Sequence, residues 1–275
     1  MSPPLTLRAF EHALSELVAS PASCLAVRAG GDDFFRRFDL SDKEKKRLME
    51  VVWQKGMSVS CSIYRSNRIT PLYTFLHFAC LLLADGLKTE VDQYWASADA
   101  PDLQFKPEVE RFGRFLKSRI VTNAITNPFL DEVLDYELAV NALQFISRQK
   151  ILAQIQSARS RPEPGPLQLN PLIRIVRFRH EPFELLKYLG QEQVPPGEVP
   201  SGEFFIVLDA AEEQIQLKQL DNQLGRVLLR IQEDGVCRQN SPEVMELARA
   251  GLVVPVLSEL NASESSSTPN HQSGR

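Results

Sequence analysis

The sequence predicts an α+β chain, helical through its first half and built of strands and helices in its second. Three observations carry this. Apolar residues recur at helical spacing from Leu7 to beyond Leu138. The run Gly202-Glu-Phe-Phe-Ile-Val-Leu-Asp209 is an apolar strand rich in aromatic and β-branched residues. Between these regions, residues 157–170 are rich in Pro, Arg and Gly and read as a solvated connection. The expected organisation is an all-α domain over 1–156, a linker over 157–170, a small α+β domain over 171–258, and a disordered tail over 259–275.

In the first half, Leu7, Phe10, Leu14, Leu17 and Val18 form one apolar stripe. Leu40-Ser-Asp-Lys-Glu44 predicts a capping box. The Ser41 hydroxyl accepts the Glu44 N–H while the Glu44 carboxylate reaches back to the Ser41 N–H. The helix it opens turns Leu48, Val51 and Val52 inward. Pro71 is expected to start an apolar helix through Leu83, and Leu87, Val91 and Trp95 a further one. Val109, Phe112, Leu116 and Ile120 give the next. Asn127-Pro128 opens another that carries Leu130, Val133, Leu134, Leu138 and Val140 inward and runs towards Ile151.

In the second half, Ile173–Arg179 reads as a strand with Arg177 and Arg179 on its solvated side. Phe183, Leu185, Leu186 and Leu189 predict a short helix. Beyond the 202–209 strand, Ile215 and Leu217 alternate with Gln216 and Lys218, the period of a half-buried strand with Ile215 and Leu217 facing in. Leu224, Val227, Leu228 and Ile231 then predict a helix ended by Gly235. Ser241-Pro242 is an N-cap followed by Pro at the first helical position, with Val244, Leu247 and Ala248 as the inner face.

Catalytic patterns are not found. The chain has no Glu-x-x-His pair, no His-Glu-x-x-His and no Gly-x-Ser-x-Gly, and Gly30-Gly31 is not followed by a phosphate-loop Lys. No metal, cofactor or catalytic residue is therefore expected. Asp131, Glu132, Asp135 and Glu137 read as a solvated or partner-facing surface. Tyr64-Arg-Ser-Asn-Arg68 reads as a capping and inter-helix contact. The four cysteines, Cys24, Cys61, Cys80 and Cys237, lack zinc-finger spacing and read as free thiols of a reducing compartment. The start of the chain lacks a signal-peptide pattern and no apolar run is long enough to cross a bilayer, so a cytoplasmic location without membrane is expected. A formal net charge of −4 disfavours nonspecific nucleic-acid binding.

Two parts of the chain resemble known proteins. Glu203–Asp209, Ile215–Gly225 and Val227–Gly235, with the closing Gly251-Leu252-Val253, resemble the peptide-recognition elements of ribosomal-peptide modification pathways. Those are small winged-helix-like domains. The interval from Gly235 to Ser241 is shorter than that family's middle helix requires. Phe38–Glu44, Ile63–Leu72 and Asn127–Leu134 look like segments of the partner proteins of multinuclear non-heme iron oxidative enzymes.

The resemblance implies a noncatalytic adaptor whose helical domain docks on the iron-dependent enzyme and whose second domain presents the precursor peptide. The leader segment would add as a strand along Ile215, Gln216, Leu217, Lys218 and Leu220. Side-chain specificity would come from Val244, Leu247 and Ala248, with Gln216 and Lys218 flanking the incoming strand. The rival reading is a winged-helix nucleic-acid-binding regulator. Against it, the candidate recognition helix carries Glu243 and Glu246 against one Arg249, the wrong balance for a phosphate-lined groove. A second rival is an enzyme of another type in the helical half.

Overall fold

A computed structural model of the chain describes residues 5–97, 105–160, 165–237 and 241–257. The tail expected over 259–275 lies outside the described residues. The fold mixes α-helices with small antiparallel sheets, as the α+β expectation requires. The chain divides into two compact units, Met1–Thr74 with Ala98–Val109, and Phe75–Ser97 with Glu110–Arg275. The compositional break at 157–170 falls inside the second.

The first unit contains α1 (Leu5–Ala19), α2 (Pro21–Arg28), α3 (Asp42–Val52) and most of α4 (Lys55–Phe75). Ala13, Leu17, Cys24, Val27, Phe35, Leu48, Val52 and Met57 form its core. The expected capping box starts α3: Ser41 Oγ accepts the Glu44 N–H at 3.4 Å, and Glu44 Oε2 accepts the Ser41 N–H at 2.8 Å. Pro71 does not begin a helix but lies buried inside α4, and the break comes at Leu76. Helix start signals are local, whereas α4 is held by the burial of Met57, Cys61, Arg68 and Leu72 along its length. The expected contact role of the Tyr64–Arg68 segment is realised by Arg68. It is buried, and its Nε and Nη2 donate to Glu108 Oε1 at 3.0 and 2.8 Å.

The second unit opens with α5 (His77–Leu83) and α6 (Leu87–Ser97). It takes α7 (Phe105–Val121) from Glu110 onward and continues through α8 (Leu130–Gln144) and α9 (Arg148–Arg159). The helix expected to run towards Ile151 is thus two, parted at residues 145–147. Then come β1 (Leu167–Leu169), β2 (Ile173–His180), α10 (Pro182–Gly190), β3 (Ser201–Asp209), β4 (Gln216–Leu220), α11 (Asn222–Asp234), α12 (Pro242–Arg249) and β5 (Val253–Pro255). Part of the stretch expected as a linker is ordered structure. Ser157–Arg159 ends α9, β1 pairs antiparallel with β5, and Asn170 Nδ2 donates to the Gly251 carbonyl at 3.0 Å.

The second sheet has the order β2-β3-β4, all antiparallel. One face (Ile173, Ile175, Phe205, Val207) packs on Leu228 and Ile231 of α11 and on Val244 and Leu247 of α12. On the other, Phe178 meets Tyr136 of α8, ring centroids 6.2 Å apart. Helix α11 approaches β3 closely because Gly225 lies over the Phe205 ring, where any Cβ would stand 2.3 Å from Cγ. Gly235 ends α11 with φ +78°, a conformation that costs glycine little.

Of the acidic residues of α8, Asp135 is exposed, but Glu132 and Glu137 are not part of a solvated surface. Glu132 is 3% exposed and Glu137 6%. Glu132 accepts the Arg179 N–H and lies 2.7 Å from His180 Nδ1, while Asp131 pairs with Lys117 and Arg179. A bulge between Phe178 and His180 turns the end of β2 towards α8. Glu137 caps α5, accepting the Phe78 and Ala79 N–H groups at 2.7 and 2.9 Å. Burial outweighs those two bonds and pushes its carboxyl up to about 8. Charge pattern alone cannot distinguish a solvated acidic face from one plugged by main-chain donors.

Candidate functional site

The three-stranded sheet has two edges, and they are treated differently. In an antiparallel sheet a residue's N–H and C=O point to the same side, and successive residues alternate. Ile175 fixes the phase for β2: its N–H donates to Gln232 Oε1 at 3.0 Å, and its carbonyl accepts from Gln232 Nε2 at 3.2 Å. The outward groups of β2 are therefore those of Ile173, Ile175, Arg177 and, up to the bulge, Arg179. The Ile173 N–H is taken by the Asn170 carbonyl at 2.8 Å and the Arg179 N–H by Glu132. Three different partners thus cover this edge at Ile173, Ile175 and Arg179, and the Arg177 main-chain groups have no partner among the described residues.

Carrying the same phase across β3 puts the ladder groups of Phe205, Val207 and Asp209 on the β4 side. Their partners there are Leu220, Lys218 and Gln216. The N–H and C=O groups of Leu217 and Gln219 therefore point away from the sheet and have no partner among the described residues. Such an edge is a template for another strand. Gln216, Leu217, Lys218 and Gln219 are exposed, and Ile215 and Leu220 half-buried.

The alternation expected in β4 is reversed. Leu220, not Leu217, lies against the α11 side, because Leu220 pairs with Phe205 and joins the core around Leu228 and Val244. Lys218 shares that face and pairs with Asp209 at 3.2 Å. Leu217 is on the opposite face, 37% exposed. Val244 and Leu247 are 2% and 1% exposed and belong to the core itself, with Ala248 half-buried beside them. The eight residues expected at the site thus fall into two groups, an accessible edge and a closed helix face.

The residues that cover the opposite edge, Gln232, Asn170 and Glu132, carry no local signal that would have found them. Gln232 follows Ile231 on an amphipathic helix and reads as one polar position among several. Among the described residues, no group of three or more His, Cys, Asp or Glu is placed to hold a metal ion, and no single helix is long and apolar enough to cross a membrane. None of the four cysteines forms a disulfide, and burial pushes the thiols of Cys24 and Cys80 up to about 11 and 12, so both stay protonated and inert at neutral pH. No protein-family model matches the chain, and no curated protein matches it significantly.

Proposed function

We propose that this chain is a noncatalytic adaptor. It binds the leader segment of a ribosomally made precursor peptide by strand addition at β4 and delivers it to a partner iron-dependent oxidative enzyme. The observation that carries the reading is the unequal treatment of the sheet edges: β2 is covered at Ile173, Ile175 and Arg179 by Asn170, Gln232 and Glu132, while both outward residues of β4, Leu217 and Gln219, keep their main-chain groups open. In this reading residues 171–258 form a winged-helix-like domain, with β4 and the α11–α12 pair as its recognition part. The rival nucleic-acid reading has less support, since α12 presents Glu243 and Glu246 beside Arg249.

Magnitudes limit what the edge can do alone. Four main-chain hydrogen bonds contribute about 0.5–1.5 kcal/mol each. Association opposes them with an estimated cost of about 4–15 kcal/mol. Side-chain contacts must supply the rest. Leu217 is the exposed apolar group on the strand itself, so it is assigned the anchoring contact. Docking on the enzyme is assigned to the first unit, where Val59 and Ile63 stand one turn apart on α4, 56% and 55% exposed.

The test is capture of the tagged chain from its native lysate, with mass spectrometry of what is retained and hydrogen exchange on the recovered complex. A short peptide recovered with an iron-containing enzyme, with the Leu217 and Gln219 amides newly protected, is the expected result. Recovery of nucleic acid, or protection that bypasses β4, overturns it.

A further inference from the structure

A cleft of about 550 Å³ opens beside the covered edge, lined by Gln168, Leu169, Pro171, Arg174, Ile231, Gln232 and Gly235. That is the size of a small-ligand pocket. Among the described residues its only ionisable lining group is Arg174, at the start of β2. The guanidinium donates through Nη1 to the carbonyls of Ile173 at 2.7 Å and Pro171 at 3.3 Å. Its Nε and Nη2 have no partner, and no carboxylate within ion-pair distance, among the described residues. Burial lowers its proton affinity. An arginine nonetheless stays protonated. The Gln168 side-chain amide, from β1, is also without a hydrogen bond among the described residues.

Half-buried guanidinium groups normally sit against a carboxylate or phosphate, because desolvating a cation without a partner is unfavourable. Elsewhere in this unit the half-buried Arg119 keeps that rule, pairing with Glu90 at 2.9 Å. The open side of Arg174 is the Nε–Nη2 pair, the fork that matches the two oxygens of a planar carboxylate. One cation with amide neighbours suits a monoanion better than a phosphate dianion.

We infer that this cleft is a carboxylate-binding site, with the Nε–Nη2 edge of Arg174 as its bidentate anchor and the Gln168 amide as a second donor. It lies by β2, across the sheet from β4, so it stands independently of strand addition there. The carboxylate comes either from an acidic side chain of a bound polypeptide or from a free small acid.

The test is a nuclear magnetic resonance titration of the full chain, read at the Arg174 Nε–H and at the Ile231 and Gly235 amides. The probes are N-acetyl-glutamate α-methylamide, succinate, and N-acetyl-glutamine methylamide as the uncharged counterpart. Saturable shifts are expected with at least one acid, at least about tenfold weaker with the glutamine compound, and lost in Arg174→Gln. Tighter binding of the glutamate compound assigns the site to an acidic side chain, and tighter binding of succinate to a free acid. Gln168→Leu, outside the core, should weaken the same probe and serves if Arg174→Gln fails to fold. No saturation with either acid by about 10 mM, or equal binding of the uncharged compound, overturns the inference.

Discussion

The side-chain amide of Gln232 pairs with the main chain of Ile175 as a neighbouring strand would, accepting its N–H at 3.0 Å and donating to its carbonyl at 3.2 Å. One residue of α11 thereby closes the middle of the β2 edge while its helix packs on the sheet. Replacing it by leucine leaves a half-buried donor and acceptor unmatched, which costs about 1–3 kcal/mol. Gln232→Leu should therefore lower stability by that order in urea unfolding and speed exchange of the Ile175 amide. Unchanged exchange would mean the amide pair does not hold in solution.

Neighbouring positions on β4 should respond oppositely to proline. The Leu217 N–H points outward, so Leu217→Pro removes a docking donor while sparing the β3–β4 ladder. The Lys218 N–H belongs to that ladder, so Lys218→Pro breaks it. The expected outcome is loss of peptide capture with a nearly native melting temperature for the first, and a lowered melting temperature for the second. Equal destabilisation by both would reverse the assigned phase of the strand.

Glu137 predicts a pH dependence. Its folded-state value, about 8, stands above the ordinary 4.5, so the folded protein holds a proton that the unfolded chain releases. Its contribution to stability is whole below about 4.5 and declines as pH rises towards about 8. Glu137→Gln keeps an acceptor for α5 and should flatten that decline in unfolding curves taken across the window. Equal slopes in the two proteins would show that the carboxylate is charged in the fold.

Gly225→Ala tests the closest helix–sheet approach. The added methyl meets a Phe205 ring that is fully buried and has no room to withdraw. Overpacking of this kind costs about 1–3 kcal/mol, more than the roughly 1 kcal/mol of helix propensity that alanine brings. A lower urea midpoint is expected, and a higher one would show that α11 shifts freely over β3.

Much of the fold was legible because its signals are local. The Ser41–Glu44 box, the Ser241-Pro242 start and the Gly235 stop each act within one turn of chain, and the structure has all three. The apolar run of β3 was equally plain. What escaped was set by partners distant in sequence. Pro71 is carried inside α4 by tertiary burial. Glu132 and Glu137 of α8 read as surface because their partners, the Phe78, Ala79 and Arg179 N–H groups, leave no trace in side-chain pattern. In β4 the facing was misjudged because Ile215 and Leu217 alternate as a buried pair should, yet the pairing of Leu220 with Phe205 decides the register. At the candidate site the strand itself was readable. The openness of one edge was not, since it depends on what covers the other.

The pairing of β1 with β5 has a consequence for how the chain is made. Leu167–Leu169 emerges from the ribosome well before Val253–Pro255, its strand partner. Until that partner arrives, Leu167 and Leu169 cannot complete the core they share with Leu252 and Val253. Strand β5 acts as a clasp, so the second unit closes only after it has emerged. Through that interval β2 and β3 can already pair, leaving a nascent sheet whose core is still incomplete.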